Sequence, residues 1–261
     1  MDRVAIISDV HGNITALRTV INDIHMRGIS KIFCLGDSVL KGVSPDLVID
    51  LLHSSCDVIL KGNCDEACVN SRIRTWTKDK IGPNRVDFLK NLPIFFEFYM
   101  SGYFIRLFHA SPYSLEHVFN PMFRNHSTKY SDIELENPEM LFENTSFINK
   151  ATSDAVPDII GYGHLHTPFI VRFKNKALFN PGSVGAPIEM LNTINEISTS
   201  RFSTVSSYII LEGFYGEKEL SSFSFNLVRI PYNIDEEIEL IKKSDVSNKG
   251  EIISALKTAI S

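Results

Sequence analysis

No apolar run in the sequence approaches the roughly 20 residues that a membrane-spanning helix needs. The opening MDRVAIISDVHG is too short in its apolar part, and charged too early, for a secretion signal. Both absences point to the cytoplasm. Cysteine is sparse: Cys34, Cys56, Cys64 and Cys68 show no paired disulfide framework, and Cys34 and Cys56 lie in or beside apolar segments, where a buried free thiol is ordinary. Basic charge is not in excess. With Lys plus Arg at 26 against Asp plus Glu at 31, the formal charge is −5, which excludes a surface built to track a long nucleic acid but leaves room for a local anion site. There is no internal repeat and no low-complexity segment.

What is present is an ordinary globular composition, 44% hydrophobic over 261 residues, enough for one large domain or two small ones. The first third alternates short β-rich runs with helical patterns. VAIIS precedes a stretch in which Ile14, Leu17, Val20, Ile21 and Ile24 recur at helical spacing, with Asn13 placed to cap and Gly28 to stop it. KIFCLG, SPDLVIDLLHS and DVILKG repeat the strand, helix, strand order, which predicts a parallel sheet with helices on its faces. A short helix follows Pro83. IFFEFYMSGYFIRLFHA then reads as a hairpin turning at Ser101-Gly102, PFIVRFKNKALFNPG as another turning near Asn175, and SSYIILE and SSFSFNLVRIPY as two more strands, so the second half is expected to be mostly antiparallel. Residues from about 111 to 155 carry no strand signal and look like an insertion, a candidate substrate cap, with one helix around PEMLFENTSFINKAT. A helical tail begins near Asp235.

Five apolar runs end in residues able to hold a metal: Asp9 and His11, Asp37, Asn63, His109, and His164 with His166. In open α/β sheets, sites gather at the carboxyl ends of strands, so these seven residues are expected to converge. Carboxylate, carboxamide and imidazole without thiolate favour hard to borderline divalent ions. Seven donors exceed what one ion can use while also holding water and substrate, which implies two ions, about 3.5–4 Å apart if the central Asp37 bridges them.

SDVHGN, LGD, LKGNCD, FHAS and GYGHLH, in this order and with FNPGSVG following, resemble the calcineurin-like binuclear metallophosphoesterases, in particular the bacterial phosphodiesterases and predicted phosphatases that carry GNCD. The resemblance covers residues 4 to 212. It implies an α/β fold of two mixed sheets packed as a sandwich between helices. It also implies a hydrolase that cleaves phosphodiesters by in-line attack of a hydroxide bridging two divalent metals, Mn²⁺ first, with Fe, Zn, Mg or Ni as alternatives. By the same resemblance Asp9, His11, Asp37 and His166 surround the first metal and Asp37, Asn63, His109 and His164 the second, with Asp37, Asn63 and Asp65 as the catalytic set. Many members carry a histidine where this chain has Cys64, to protonate the leaving oxygen; a thiol with an ordinary pKa of about 8.5 is a poor substitute. That ranks phosphodiesters, activated monoesters and nucleotide anhydrides above simple alkyl monoesters. A dinucleoside polyphosphate hydrolase and a Ser/Thr protein phosphatase are the enzymatic alternatives, and a non-catalytic scaffold of the same fold is the alternative outside enzymology.

Around these motifs the reading is less specific. Asp65 is placed to orient His109 or Asn63, or to cap a helix. Asn180, in a turn after a strand, is a candidate support for the centre. Arg72 and Arg74, near Trp76, are candidates for a phosphate wall or else a solvated basic face, and Arg124 and His126 in the insertion are candidate substrate contacts alongside Tyr113, His117 and Phe119. The expected partner is a small phosphorylated substrate, with a nucleotide among the candidates.

Overall fold

The structure is a computed structural model and describes residues 1–70, 75–117, 119, 121, 137–148, 154–191 and 199–258. Its first sheet grows from three parallel strands, β1 (Asp2–Ile7), β2 (Lys31–Cys34) and β3 (Val58–Ile59), joined by α1 (Ile14–Met26) and α2 (Pro45–Ser55). Parallel neighbours need such crossovers. In α1 the five periodic aliphatics are all buried, the Asn13 side chain accepts from the Ala16 amide, and Gly28 leaves the helix at φ 71°. Two segments beyond β3 had no helical signal in the sequence: α3 (Asn63–Asn70) and the first part of α4 (Thr75–Lys90), a helix broken at Gly82 just ahead of Pro83.

The second sheet holds β4 (Phe95–Met100), β5 (Tyr103–Phe108), β6 (Ile159–Tyr162), β7 (Phe169–Phe173) and β8 (Lys176–Asn180), in the order β4-β5-β6-β8-β7. Both expected hairpins form. Ser101-Gly102 and Lys174-Asn175 each take two successive positive φ values, the backbone that matches the twist of a two-residue hairpin. The centre of this sheet, β5-β6-β8, nevertheless runs parallel, because β5 and β6 are linked through the long 111–155 segment rather than a turn. β9 (Ile188–Leu191) and β10 (Thr199–Phe202) form a separate ribbon, while β11 (Val205–Gly213) and β12 (Ser224–Pro231) complete the first sheet as β12-β11-β1-β2-β3. The tail forms α5 (Ile234–Lys243) and α6 (Lys249–Thr258).

The two mixed sheets pack face to face through Ile6, Phe33 and Leu35 on one side and Ile105, Leu107 and Phe179 on the other. Helices α1, α2 and α4 cover the far face of the first sheet. Over the far face of the second, Leu141 and Phe142 pack on Phe108, Tyr162 and Leu178. Those two residues belong to the stretch expected as an α-helix. Instead it makes two short 3₁₀ turns, Pro138–Phe142 and Ser146–Ile148, because Arg106 on β5 takes the Glu143 carbonyl and the Asn144 side chain between them. Among the described residues no helix is long and apolar enough to cross a membrane.

Candidate metal centre

Every one of the seven candidate donors leaves the carboxyl end of a strand or opens the helix just after it, and the parallel runs β1-β2-β3 and β5-β6 present those ends at one edge of the sandwich. The loops that follow are tightly constrained. Asp9, His11, Asp37, His164 and His166 all sit at left-handed φ between 49° and 65°, so the alternate residues of D-x-H and H-x-H turn toward the same space. Gly62 lies against Asp37 so closely that a Cβ there would fall 2.1 Å from its Oδ1.

One group of donors comprises Asp9, His11 and His166, all buried. His11 Nδ1 donates to the Val39 carbonyl at 3.2 Å, and His166 Nδ1 to that of Ala186 at 2.5 Å. Each ring therefore directs its Nε2 lone pair inward; the two Nε2 atoms are 3.1 Å apart, with the Lys41 ammonium beside both. Asp9 Oδ1 lies 3.3 Å from the His166 nitrogen, is buried, and has no hydrogen-bond partner. A buried carboxylate oxygen and two opposed lone pairs make a cluster of acceptors that suits a cation; the Lys41 ammonium stands at the two imidazoles, and Asp9 Oδ1 is left without a partner. Burial with Lys41 and His166 alongside holds His11 well below the usual imidazole pKa, which keeps that lone pair available. Burial alone would raise the Asp9 carboxyl, yet His166, with His109 and His11, outweighs it and leaves Asp9 well below the usual range.

A second group comprises Asp37, His109 and His164, with Asn63 among them. His109 Nδ1 donates to the Leu35 carbonyl at 2.9 Å, leaving Nε2 bare at 2.9 Å from Asn63 Oδ1 and 3.3 Å from His164 Nδ1. His164 Nδ1 is itself 2.9 Å from the same Asn63 oxygen. The ring nitrogens and the Asn63 oxygen thus converge on one point. Burial and the adjacent His109 bring the His164 imidazole down to about 3, whereas at His109 burial is outweighed by Asp37 and Asp9 and the pKa is raised. Asp37 stands between the groups: Oδ1 is 3.5 Å from His109 Nε2 and Oδ2 is 3.6 Å from His11 Nε2. The donor set fits metal binding on its own geometry and matches hard to borderline divalent ions.

Asp65 does not touch His109 or Asn63, as one sequence expectation had it. Its carboxylate accepts the amides of Asp37, Ser38 and Val39 and reaches back to that of Gly62, closing the start of α3 and fixing the Asp37 loop. Burial and the Asp37 charge push it up to about 7, opposed by those amides. Cys64 Sγ faces His11 and Asp37, and burial followed by Asp37 pushes its thiol far above the ordinary value, so it stays protonated. Asn180 donates to the Gly163 carbonyl at 2.7 Å, just ahead of His164. The FNPGSVG turn braces Asp9, whose carbonyl accepts from the Ser183 hydroxyl and the Gly185 amide.

Trp76 donates its Nε1–H to Asp245 on the tail at 2.8 Å. Arg72, Arg74, Arg124 and His126 lie outside the described residues. Of the insertion, Ser114 to His117 border a cavity that also reaches Asn63. Lys41 was not among the sequence candidates, yet its ammonium stands 3.0 Å from His11 Nε2 and 3.3 Å from His166 Nε2. The signal was the Lys41-Gly42 pair: a Cβ on Gly42 would fall 2.4 Å from the His11 carbonyl, so the two loops must touch there.

Comparison with known proteins gives a consistent answer. Over 252 residues, 92% of each chain, the sequence is 29% identical to the uncharacterized protein MJ0912 of Methanocaldococcus jannaschii. The fold is similar to that of a crystallised metallophosphoesterase from Sphaerobacter thermophilus, with a TM-score of 0.65 at 19% identity over 99% of both chains. It is similar also to hypothetical protein PH1004 of Pyrococcus horikoshii, with a TM-score of 0.67 at 17% identity over 98% of both. The model of the calcineurin-like phosphoesterase superfamily domain matches residues 3–201, which take in every one of the converging donors, and the chain therefore belongs to that superfamily.

Proposed function

We propose that the protein is a hydrolase of phosphodiesters that works with two divalent cations, Mn²⁺ first among them. The observation that carries this reading is the pairing of two acceptor clusters on opposite oxygens of Asp37. Asp9, His11 and His166 would hold one ion and Asn63, His109 and His164 the other, with Asp37 common to both. Such ions supply positive charge that binds phosphate, acidifies a water and offsets charge developing on the phosphoryl oxygens.

The chain's own residues set the rest. The carbonyls of Val39, Leu35 and Ala186 fix the tautomers of His11, His109 and His166, so their donor atoms need no rearrangement. The Lys41 ammonium stands on the Nε2 face of the first group and would move aside for an ion there. Cys64 remains a neutral thiol and a weak proton donor. A leaving group that departs without a strong acid is the one this centre suits, which places phosphodiesters and other activated esters ahead of alkyl monoesters.

The test is hydrolysis of bis-p-nitrophenyl phosphate by purified protein with added Mn²⁺, with metal content measured in parallel. Wild-type protein is expected to turn over and to retain about two ions per chain, as the two donor groups require, while Asp37→Ala and His166→Ala lose both properties. Protein that retains no divalent ion after full reloading would support the scaffold reading instead.

A further inference from the structure

A cavity of about 270 Å³ opens beside the first donor group, and the wall opposite that group lies in a part of the chain beyond residues 3–201. His11 and Lys41 stand at one end. Phe202, Ile241, Ile252 and Leu256, from the β10 strand and from α5 and α6, make the opposite side apolar. Glu237 of α5 also lines it; the residue is 2% exposed, and its Oε2 has no hydrogen-bond partner. The cavity at the other flank, at Asn63, is larger, about 650 Å³, and is bordered by Lys61, Glu66, Asn70 and Glu116. The centre thus has one small, strongly apolar flank and one wider flank of mixed lining, in which Ile94, Leu115 and Phe147 stand among the polar groups.

We propose that the apolar cavity is the subsite for one organic group of the phosphoester, a single ring system carrying an N–H or O–H that donates to Glu237. This rests on the phosphoesterase reading of the centre. Size supports it: the volume is at the lower edge of ligand pockets, about 300–1,000 Å³, so it suits one ring rather than a peptide or a two-base nucleotide. Chemistry supports it equally, since an apolar wall rewards burial of a ring while a buried, unpartnered carboxylate oxygen needs a donor. Lys41 lines the cavity and reaches the imidazoles, so an ion that displaces its ammonium from them would leave it beside the phosphate to which the ring is attached.

Phosphonates test this without turnover. Calorimetry on Mn²⁺-loaded protein should give at least tenfold tighter binding of phenylphosphonate than of methylphosphonate, and at least one of the 2-, 3- and 4-aminophenylphosphonates should bind more tightly still. Ala255→Trp, which fills the cavity from α6, should erase the phenyl preference and leave methylphosphonate binding within twofold of wild type. Glu237→Met should erase only the amino gain, and serves if the tryptophan variant does not fold. Equal binding of phenyl- and methylphosphonate, or no amino isomer better than phenyl, overturns the proposal. If the protein hydrolyses bis-p-nitrophenyl phosphate under the same conditions, that failure touches the subsite alone; if neither hydrolysis nor any phosphonate binding is seen, the phosphoesterase reading falls with it.

Discussion

Gly62 shows how much of the centre depends on an atom that is missing. A Cβ at this position would lie 2.1 Å from Asp37 Oδ1 and 2.3 Å from the Asp37 amide nitrogen, and backbone cannot give way as a flexible side chain does. Gly62→Ala is therefore expected to push Asp37 out of its place between the two imidazole groups, lowering stability by about 1–3 kcal/mol and bound metal with it. Urea unfolding and metal analysis check the two effects, and a variant with full metal content would show that Asp37 is not held this way. At this scale the donors were legible because each follows an apolar run, a local pattern. Lys41 was not, because its place at His11 depends on two loops touching across 30 residues of sequence. The role of Asp65 was half legible: a helix cap can be read from neighbours, whereas its hold on residues 37–39 is a contact between strands' ends.

The elements were read well where their signal is periodic and poorly where tertiary contacts override it. Both hairpins of the second sheet appear because their turns are local, but the parallel order β5-β6-β8 is set by packing across the long insertion. Arg106 accounts for the failed helix. On β5 it sits directly opposite Glu97 of β4, fully buried, with Nε donating to Glu97 at 2.7 Å and its other nitrogens holding Glu143 and Asn144. The strand pattern of YFIRLF was clear, while the partner of its one charge was not. Arg106→Ala leaves the Glu97 carboxylate buried beside the gap and is expected to cost about 3–5 kcal/mol. Removing both charges together, as Arg106→Met with Glu97→Leu, should restore most of that in urea unfolding. A single variant as stable as wild type would show that the pair contributes nothing.

At the scale of the molecule, the donors are divided between the two sheets. Asp9, His11, Asp37 and Asn63 belong to the first, and His109, His164 and His166 to the second. Any ion held by both groups ties the halves of the sandwich together, and what binds only the folded chain stabilises it. At a free metal concentration 100 times the dissociation constant the gain is about 2.7 kcal/mol. Mn²⁺ should thus raise the melting temperature, a chelator should reverse the rise, and His166→Ala should blunt it; a melting temperature indifferent to metal would argue against a centre spanning both sheets.

The left-handed backbone at five of the donors has a further consequence. Non-glycine residues in that conformation carry strain on the order of 1–3 kcal/mol each, and Asp9, His11, Asp37, His164 and His166 all carry it. Folding by itself would prefer glycine at every one of these positions. Glycine at any one of them should therefore relax the metal-free chain while removing a donor, so that stability and ion binding pull the same turn in opposite directions.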